Sequence, residues 1–556
     1  MKNLTILCFL IFCFLFFSCK DSVDDIPISP ISDHEMVESE GMIQLGREIE
    51  NPYSLDVMRK ALTSLFPNGR VTSEDIVATH FYVKFHPKNE TDLDRLQDDT
   101  LTIFHTYPLH YEMQSGGTYY HDPEIPNNKP TYQYAVVPVD YQFPEVKYKI
   151  LEEIYLPPLD EGVSSARTLG LSKTDLIKLE NRALELTDNL EYVIELPEDD
   201  EPCDSCDPGD TGDGGGTSSS PCTTCPFGRI LIQDDVAGRP VPIVGAKVIG
   251  YKLFRSYEAY TDNDGRFVIN WRDAGAINWK IKWERYHYSI REGDWFQAVT
   301  TRDGSRSFWN HTIGNDTHSQ YFALIHQAAY DYYYGNNFGL SRPPLNSSTT
   351  PQLKIAAKIE PWIAENSHAA VYYSYFNLIP GPNLPDVFIR TYGEASDRVY
   401  AVTAHELAHM AHWNLDKDAF VNLVYGAYLP PKKAGDERVI ESWAEGVEWW
   451  FAIGRYRNEF GNGGYNYLLN YQRRQINDPL WNIYSSVVVD LHDDVNQRFE
   501  WGSILFPDDE VVGYEIDEIE EALRGVRSWT GWQNNIINRL DNSTENEVDN
   551  LFANWN

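Results

Sequence analysis

The chain has 556 residues, with 46 Lys and Arg against 83 Asp and Glu, for a formal net charge of −37. That balance argues against nucleic acid as a partner, because phosphate backbones select Lys and Arg, and it suits a well-solvated protein outside the cell. The length predicts three or four domains, and the elements taken in order below predict a multidomain α+β protein.

Residues 1–18 read as a signal peptide. Lys2 gives the positive start, and Leu4 to Phe17 form an apolar run broken only by Thr5. The run is too short to span a bilayer as a helix. Ser18-Cys19 and Lys20-Asp21 close it. A small residue before Cys at this point resembles a bacterial lipoprotein signal, which implies cleavage before Cys19 and its lipidation; plain secretion is the alternative. Residues 19–40, with Asp21, Asp24, Asp25 and Pro30, form an acidic tether. The expected location is therefore the cell envelope, lipid-anchored to the outer membrane, periplasmic or surface-exposed, with the anchor as the membrane contact.

Residues 41–195 predict an N-terminal α+β domain. Met42 to Phe66 is mostly helical in pattern, interrupted near Asn51-Pro52. Residues 78–85 alternate as a strand, 91–96 suit a helix, 101–104 suit a second strand, and 173–190 form a closing amphipathic helix. This unit resembles the small domains that precede secreted proteases as prosegments; a structural or docking domain is the alternative. Residues 196–226 are a linker rich in Asp, Gly, Ser and Pro, which cannot bury enough apolar surface to order itself. Within it lie two CxxC pairs, Cys203/Cys206 and Cys222/Cys225. In an exported protein they predict disulfides, with a structural zinc as the other reading.

Residues 227–300 predict a β domain, with strands near 228–232, 241–248 and 261–269. Pro242 through Val248 and Thr261 through Phe267 give PxxGAxV and TDxDGxF. That order resembles the carboxypeptidase regulatory-like domain, a small Ig-like β-sandwich. Asp262, Asp264 and Gly265 match the start of a calcium loop, but the glutamate that completes such a loop is missing, which favours a turn.

Residues 305–556 predict a mainly helical domain. Thr317 to Gly335 is an aromatic amphipathic helix and Asp386 to Arg390 a strand. His405-Glu406-Leu407-Ala408-His409 follows, with Ser396 and Asp397 as the expected N-cap and first-turn acid. On a helix the two His lie one above the other, so both can bind one Zn²⁺, and Glu406 can serve as general base toward a water there. His412 lies a further turn along, where an outward-facing or supporting role is expected. Residues 439–451 form an apolar helix carrying Glu441, Glu445 and Glu448, and such carboxylates are costly to bury without a partner. Further helices are expected over 464–475, 479–497, 513–523 and 529–540. Asp490, Asp493 and Asp494 crowd an apolar stretch and are candidates for Ca²⁺ or for a solvated helix end.

HExxH followed by Glu441-Ser442-Trp443-Ala444 resembles the gluzincin branch of the zincin metallopeptidases, over about residues 385–451. The resemblance implies a zinc-dependent protease, most simply an endopeptidase acting on protein or peptide. It implies Zn²⁺ on His405, His409 and Glu441, with Glu445 as the alternative third ligand, and Glu406 as the catalytic base. It further implies that the strand at 386–390 aligns an extended substrate along its edge. An oxyanion-stabilising Tyr or His is expected among Tyr456, Tyr465, Tyr467, Tyr471 and His492. The segment between His409 and Glu441, with Pro430-Pro431, departs from the family pattern and predicts an inserted loop. A surface adhesin or glycan-binding lipoprotein with a structural zinc is the competing function, which an intact Glu406 disfavours. An aminopeptidase or a hydrolase of cell-wall cross-links on the same scaffold is a third.

Overall fold

The structure, a computed structural model, describes residues 40–555 except 70, 160–168, 195–224, 272–274, 294, 303, 305–306, 348, 360–368, 372–385, 462–470 and 477–482. Cys19, Cys203, Cys206, Cys222, Tyr465 and Tyr467 thus lie outside the described residues. Among the described residues no helix is long and apolar enough to cross a membrane. The chain is mixed α and β, with several sheets and, among the described residues, twelve α-helices.

In the N-terminal region β1 (Gln44–Glu48) pairs antiparallel with β3 (Tyr111–Ser115). A second sheet places β2 (His80–Phe85) between β4 (Gln133–Pro138) and β5 (Tyr148–Ile154), all antiparallel. Helices α1 (Leu55–Leu65), α2 (Glu90–Gln97) and α3 (Lys173–Leu186) complete the unit. Ser54, Asn89 and Ser172 cap them with side-chain oxygens. The helix expected from Met42 is a strand up to Glu48, because Ile43 and Leu45 pack with Tyr107, Tyr120 and Met113 rather than with a helical neighbour. The strand expected at 101–104 does not form.

Two four-stranded sheets follow. One runs β10-β6-β15, with β7 (Arg239–Pro242) paired to the far half of β6 (Phe227–Asp234). The other runs β14-β11-β8-β9. Here β8 is Lys247–Lys252, β9 Arg255–Tyr260, β10 Arg266–Val268, β11 Asn278–Lys282, β14 Val299–Thr301 and β15 Phe308–Ile313. Ile230, Val248, Phe267, Trp279 and Trp309 pack together between the sheets. β15 pairs parallel with β6, so a strand from beyond residue 305 completes the first sheet. The turn at Asp262–Gly265 joins β9 of one sheet to β10 of the other. Asp262 Oδ1 accepts from the backbone N–H groups of Asp264 and Arg266, at 2.9 and 2.8 Å. A side chain at Gly265 would place its Cβ 2.3 Å from the Ile230 carbonyl oxygen.

The last sheet runs β13-β12-β16-β18-β17, where β12 is Tyr288–Glu292, β13 Phe296–Gln297, β16 Leu353–Ala357, β17 Ala369–Val371 and β18 Val387–Ile389. β12, β16 and β18 are parallel, and β17 is antiparallel to β18. The strand expected as a substrate-aligning edge is therefore interior: both sides of β18 are paired.

Helix α4 (His318–Tyr333) packs on this sheet and against α5 (Ser396–Leu415). α5 in turn lies on α7 (Ala434–Ala452), and α6 (Lys417–Tyr428) packs on α7. The inserted loop expected between His409 and Glu441 is thus mostly a helix, capped by Asp416 through a 3.1 Å bond from the Ala419 N–H. Of the shorter helices α8 (Val487–His492), α9 (Gln497–Trp501), α10 (Ile516–Glu521), α11 (Trp529–Arg539) and α12 (Val548–Asn554), α8 and α11 pack on α7, and α10 and α12 pack on α8. One continuous core runs from Ile230 in the sandwich through Tyr400 and Trp443 to Phe552, so the sandwich and the helices share their apolar interior.

The N-terminal unit meets the rest through apolar contacts, among them Phe254 against Tyr53 and Tyr82, and through ion pairs. Glu180 pairs with Arg255 at 3.2 Å, Asp94 with Lys354 at 2.8 Å and Glu90 with Arg291 at 3.5 Å. These fix it to the sandwich and to β12 and β16.

Candidate metal centre

α5 forms because residues 396–415 contain neither Gly nor Pro and carry apolar groups on nearly every face, as a helix inside a core must. Its N-terminus is held from outside. The N-cap is Ala395, and the Ser396 N–H donates to Asp235 Oδ1 of the sandwich at 2.9 Å. Ser396 therefore stands in the first turn rather than at the cap, and Asp397 is the first-turn acid. The β6–β7 turn thereby sets the start of the helix that carries His405 and His409.

α7 approaches its neighbours through glycines. A Cβ at Gly446 would sit 2.2 Å from Val488 Cγ1 of α8, and one at Gly426 of α6 would sit 1.8 Å from Asp436 Oδ2 of α7. Such contacts require a residue without a side chain. α7 also packs directly along α5, which sets Glu441 beside the two histidines.

His405, His409 and Glu441 come together there, all buried, each offering a ligand atom within 4.8 Å of the others. Glu441 Oε2 lies 3.6 Å from His405 Nε2 and 3.7 Å from His409 Nε2. Atoms held ~2.0–2.1 Å from one tetrahedral ion stand about 3.3–3.5 Å apart, so these two separations are close to those of ligands that share one metal ion. His409 Nδ1 has no hydrogen-bond partner. Burial lowers the His409 pKa to about 4, which keeps the imidazole neutral. Burial would raise Glu441, but His409, His405 and the Tyr428 hydroxyl outweigh it and bring the carboxyl to about 2. Neutral imidazole and ionised carboxylate are the forms that ligate.

Two further residues hold the ligands. Glu448 Oε2 accepts from His405 Nδ1 at 2.9 Å, and Tyr428 donates to Glu441 Oε1 at 2.7 Å. An acceptor on Nδ1 fixes the tautomer that leaves Nε2 for a metal. Glu448 was legible in part, since it stands seven residues beyond Glu441 on the same helical face. No sequence signal pointed to Tyr428.

Of the two candidate third ligands, Glu441 joins the histidines and Glu445 pairs with Arg474. Glu406 is buried in α5 beside His405. His412 is fully buried and packs edge-on against Phe420 at 4.8 Å, with neither ring nitrogen hydrogen-bonded. It therefore neither faces outward nor joins the ligand set, and burial lowers its pKa to about 3.

Of the expected oxyanion candidates, Tyr465 and Tyr467 lie outside the described residues, and the other three make contacts of their own. Tyr456 donates to Asp234 Oδ2 at 3.1 Å, Tyr471 packs with Trp449 and Val489, and His492 Nδ1 meets the Tyr514 carbonyl at 3.0 Å. Cys225 is disulfide-bonded. Among the described residues, neither the Asp262–Gly265 turn nor Asp490, Asp493 and Asp494 forms a three-ligand group of the kind seen at His405. Asp490 instead accepts from Ser486, Gln497 and Trp555.

No protein-family model matches the chain. No curated protein matches it either. Among solved structures, a 9R-lipoxygenase from Cyanothece PCC8801 is similar at 9% identity and a TM-score of 0.12, over 47% of this chain and 30% of that one. A likeness at that level carries no argument about fold or function.

Proposed function

We propose that the chain is a zinc-dependent metallopeptidase of the gluzincin type, anchored by lipid at Cys19 in the cell envelope and acting on protein or peptide substrates. The observation that carries the reading is the convergence of His405, His409 and Glu441, with Glu448 and Tyr428 bonded to two of them, on the helix that also bears Glu406. When bound, zinc supplies Lewis-acid polarisation of the scissile carbonyl and acidifies a water at the open position. Glu406 takes the proton of the attacking water and passes it to the leaving amine. Glu448 keeps His405 in register, and Tyr428 restrains one oxygen of Glu441 while the other faces the histidines.

The substrate-aligning role belongs to β17 rather than to β18. Among the described residues β17 is paired on one side only, and it packs against α5. An extended peptide can add to such an edge by main-chain hydrogen bonds. The paired sheets over 227–313 serve as an Ig-like sandwich of the carboxypeptidase regulatory-like kind, and Asp235 makes it a support for α5.

Cleavage of a diverse peptide library by residues 21–556 tests the reading, with wild type and Glu406→Gln compared with and without a zinc chelator. Cleavage by wild type alone, abolished by the chelator, is expected. Equal cleavage by Glu406→Gln, or cleavage indifferent to the chelator, would refute it.

A further inference from the structure

A cleft of about 260 Å³ lies between the N-terminal unit and the outer face of the β14-β11-β8-β9 sheet, lined by none of the metal-centre residues. Tyr107, Tyr111 and Tyr192 line it from one side, and Tyr251, Asn278 and Arg302 from the other. Its size stands just below the range of drug-sized ligand sites, which leaves room for a small ring, and a position between two units is where such sites collect.

The lining selects a chemical class. Phenol rings give flat apolar surface with a polar tip, and the Asn278 amide and Arg302 guanidinium add donors. Tyr192 accepts from Asn278 Nδ2 at 3.2 Å, which orients the pair and keeps the phenolic proton as a donor. A sugar ring has the complementary make-up, an apolar C–H face with hydroxyls around its rim. Charge excludes the alternatives. Glu112 and Glu191 also line the cleft against one lining base, Arg302, while Arg47 pairs with Glu112 at 2.6 Å. Among the described residues no positive cluster is present there to hold a phosphate or carboxylate. An aromatic cage would suit an organic cation, but Lys280 already lies 4.6 and 5.4 Å from the ring centroids of Tyr107 and Tyr251. Its Nζ is hydrogen-bonded to His105 Nδ1 at 2.9 Å, so that amine is part of the fold.

We propose that this cleft binds a neutral saccharide, giving the protein a glycan-recognition site separate from its metal centre.

The test exposes fluorescently labelled residues 21–556 to a printed array of neutral and acidic glycans, then measures saturation-transfer NMR on the strongest binder, with choline as the cationic comparison. Tyr111→Ala and Arg302→Ala are measured beside wild type, with circular dichroism to establish that each is folded. Binding of a neutral glycan is expected, with signal reduced about fivefold or more in each variant, as loss of one aromatic or polar contact implies. Choline should give no transfer. The proposal is overturned if the array shows no binder, if only acidic glycans or choline bind, or if both folded variants bind as wild type does. Because the assay does not involve peptide cleavage, its failure is distinct from failure of the peptidase reading.

Discussion

Replacing Glu448 should weaken zinc binding while leaving the three ligands in place. Its Oε2 meets His405 Nδ1 at 2.9 Å, and the two side chains are 3% and 2% exposed. A hydrogen bond to a charged group contributes ~1.5–3 kcal/mol. Outer partners of metal-bound imidazoles typically change affinity by ~10–100-fold. The two figures agree, since a tenfold change corresponds to about 1.4 kcal/mol. Glu448→Gln keeps the shape and an acceptor but loses the charge, so the loss should fall near the lower end, ~10-fold. Glu448→Ala leaves Nδ1 without its acceptor and frees the tautomer, so the loss should approach ~100-fold. Competition against a chromophoric zinc chelator at neutral pH reads both values, and thermal unfolding of the zinc-free proteins separates weaker binding from misfolding. If both variants fold and bind zinc as tightly as wild type, Glu448 does not position His405 for a metal.

Glu441→Gln should abolish stoichiometric zinc binding, whereas Glu445→Gln should retain zinc but lose ~3–5 kcal/mol of stability by leaving the buried Arg474 uncompensated; zinc content and urea unfolding distinguish the two. Gly446→Ala should cost ~1–3 kcal/mol, because its Cβ would meet Val488 Cγ1 at 2.2 Å and push α7 from α8; denaturant unfolding measures it. Burial raises the Glu520 pKa from 4.5 to about 7. Between those values the native state binds more protons than the unfolded one, so this group's contribution to stability falls as pH rises through that window. Glu520→Gln should therefore gain roughly 3 kcal/mol relative to wild type above that window and nothing below it. Unfolding across the pH range checks the sign, and a variant that gains stability on the acid side would contradict it.

The metal ligands were legible because their information is local. HELAH places two imidazoles one turn apart, and Glu441 sits on an apolar helix where a lone carboxylate needs a partner. Choosing Glu441 over Glu445 was not local, since Arg474 takes Glu445 from a separate segment. Tyr428 was obscured because Pro430-Pro431 suggested a loop, whereas α6 runs to Tyr428 before those prolines. Sheet order was also hidden. The alternation that marks a strand does not name its neighbours, so β18 looked like an edge until β17 was seen beside it. β15 likewise gave no sign that it would return to β6, some eighty residues earlier in the chain. The cap on α5 shows the same limit. Ser396 had the right chemistry for an N-cap, but Asp235 from the sandwich binds its N–H, and the helix begins one position earlier in register.

Zinc-edge X-ray absorption on purified residues 21–556, combined with metal analysis, tests the central claim most directly. One zinc per chain is expected, with two imidazole scatterers and light-atom ligands at ~2.0–2.2 Å, and with loss of that signature in Glu441→Gln. Sulfur scatterers at ~2.3 Å would place the metal on the linker cysteines, and either that result or an unchanged spectrum in Glu441→Gln would contradict it.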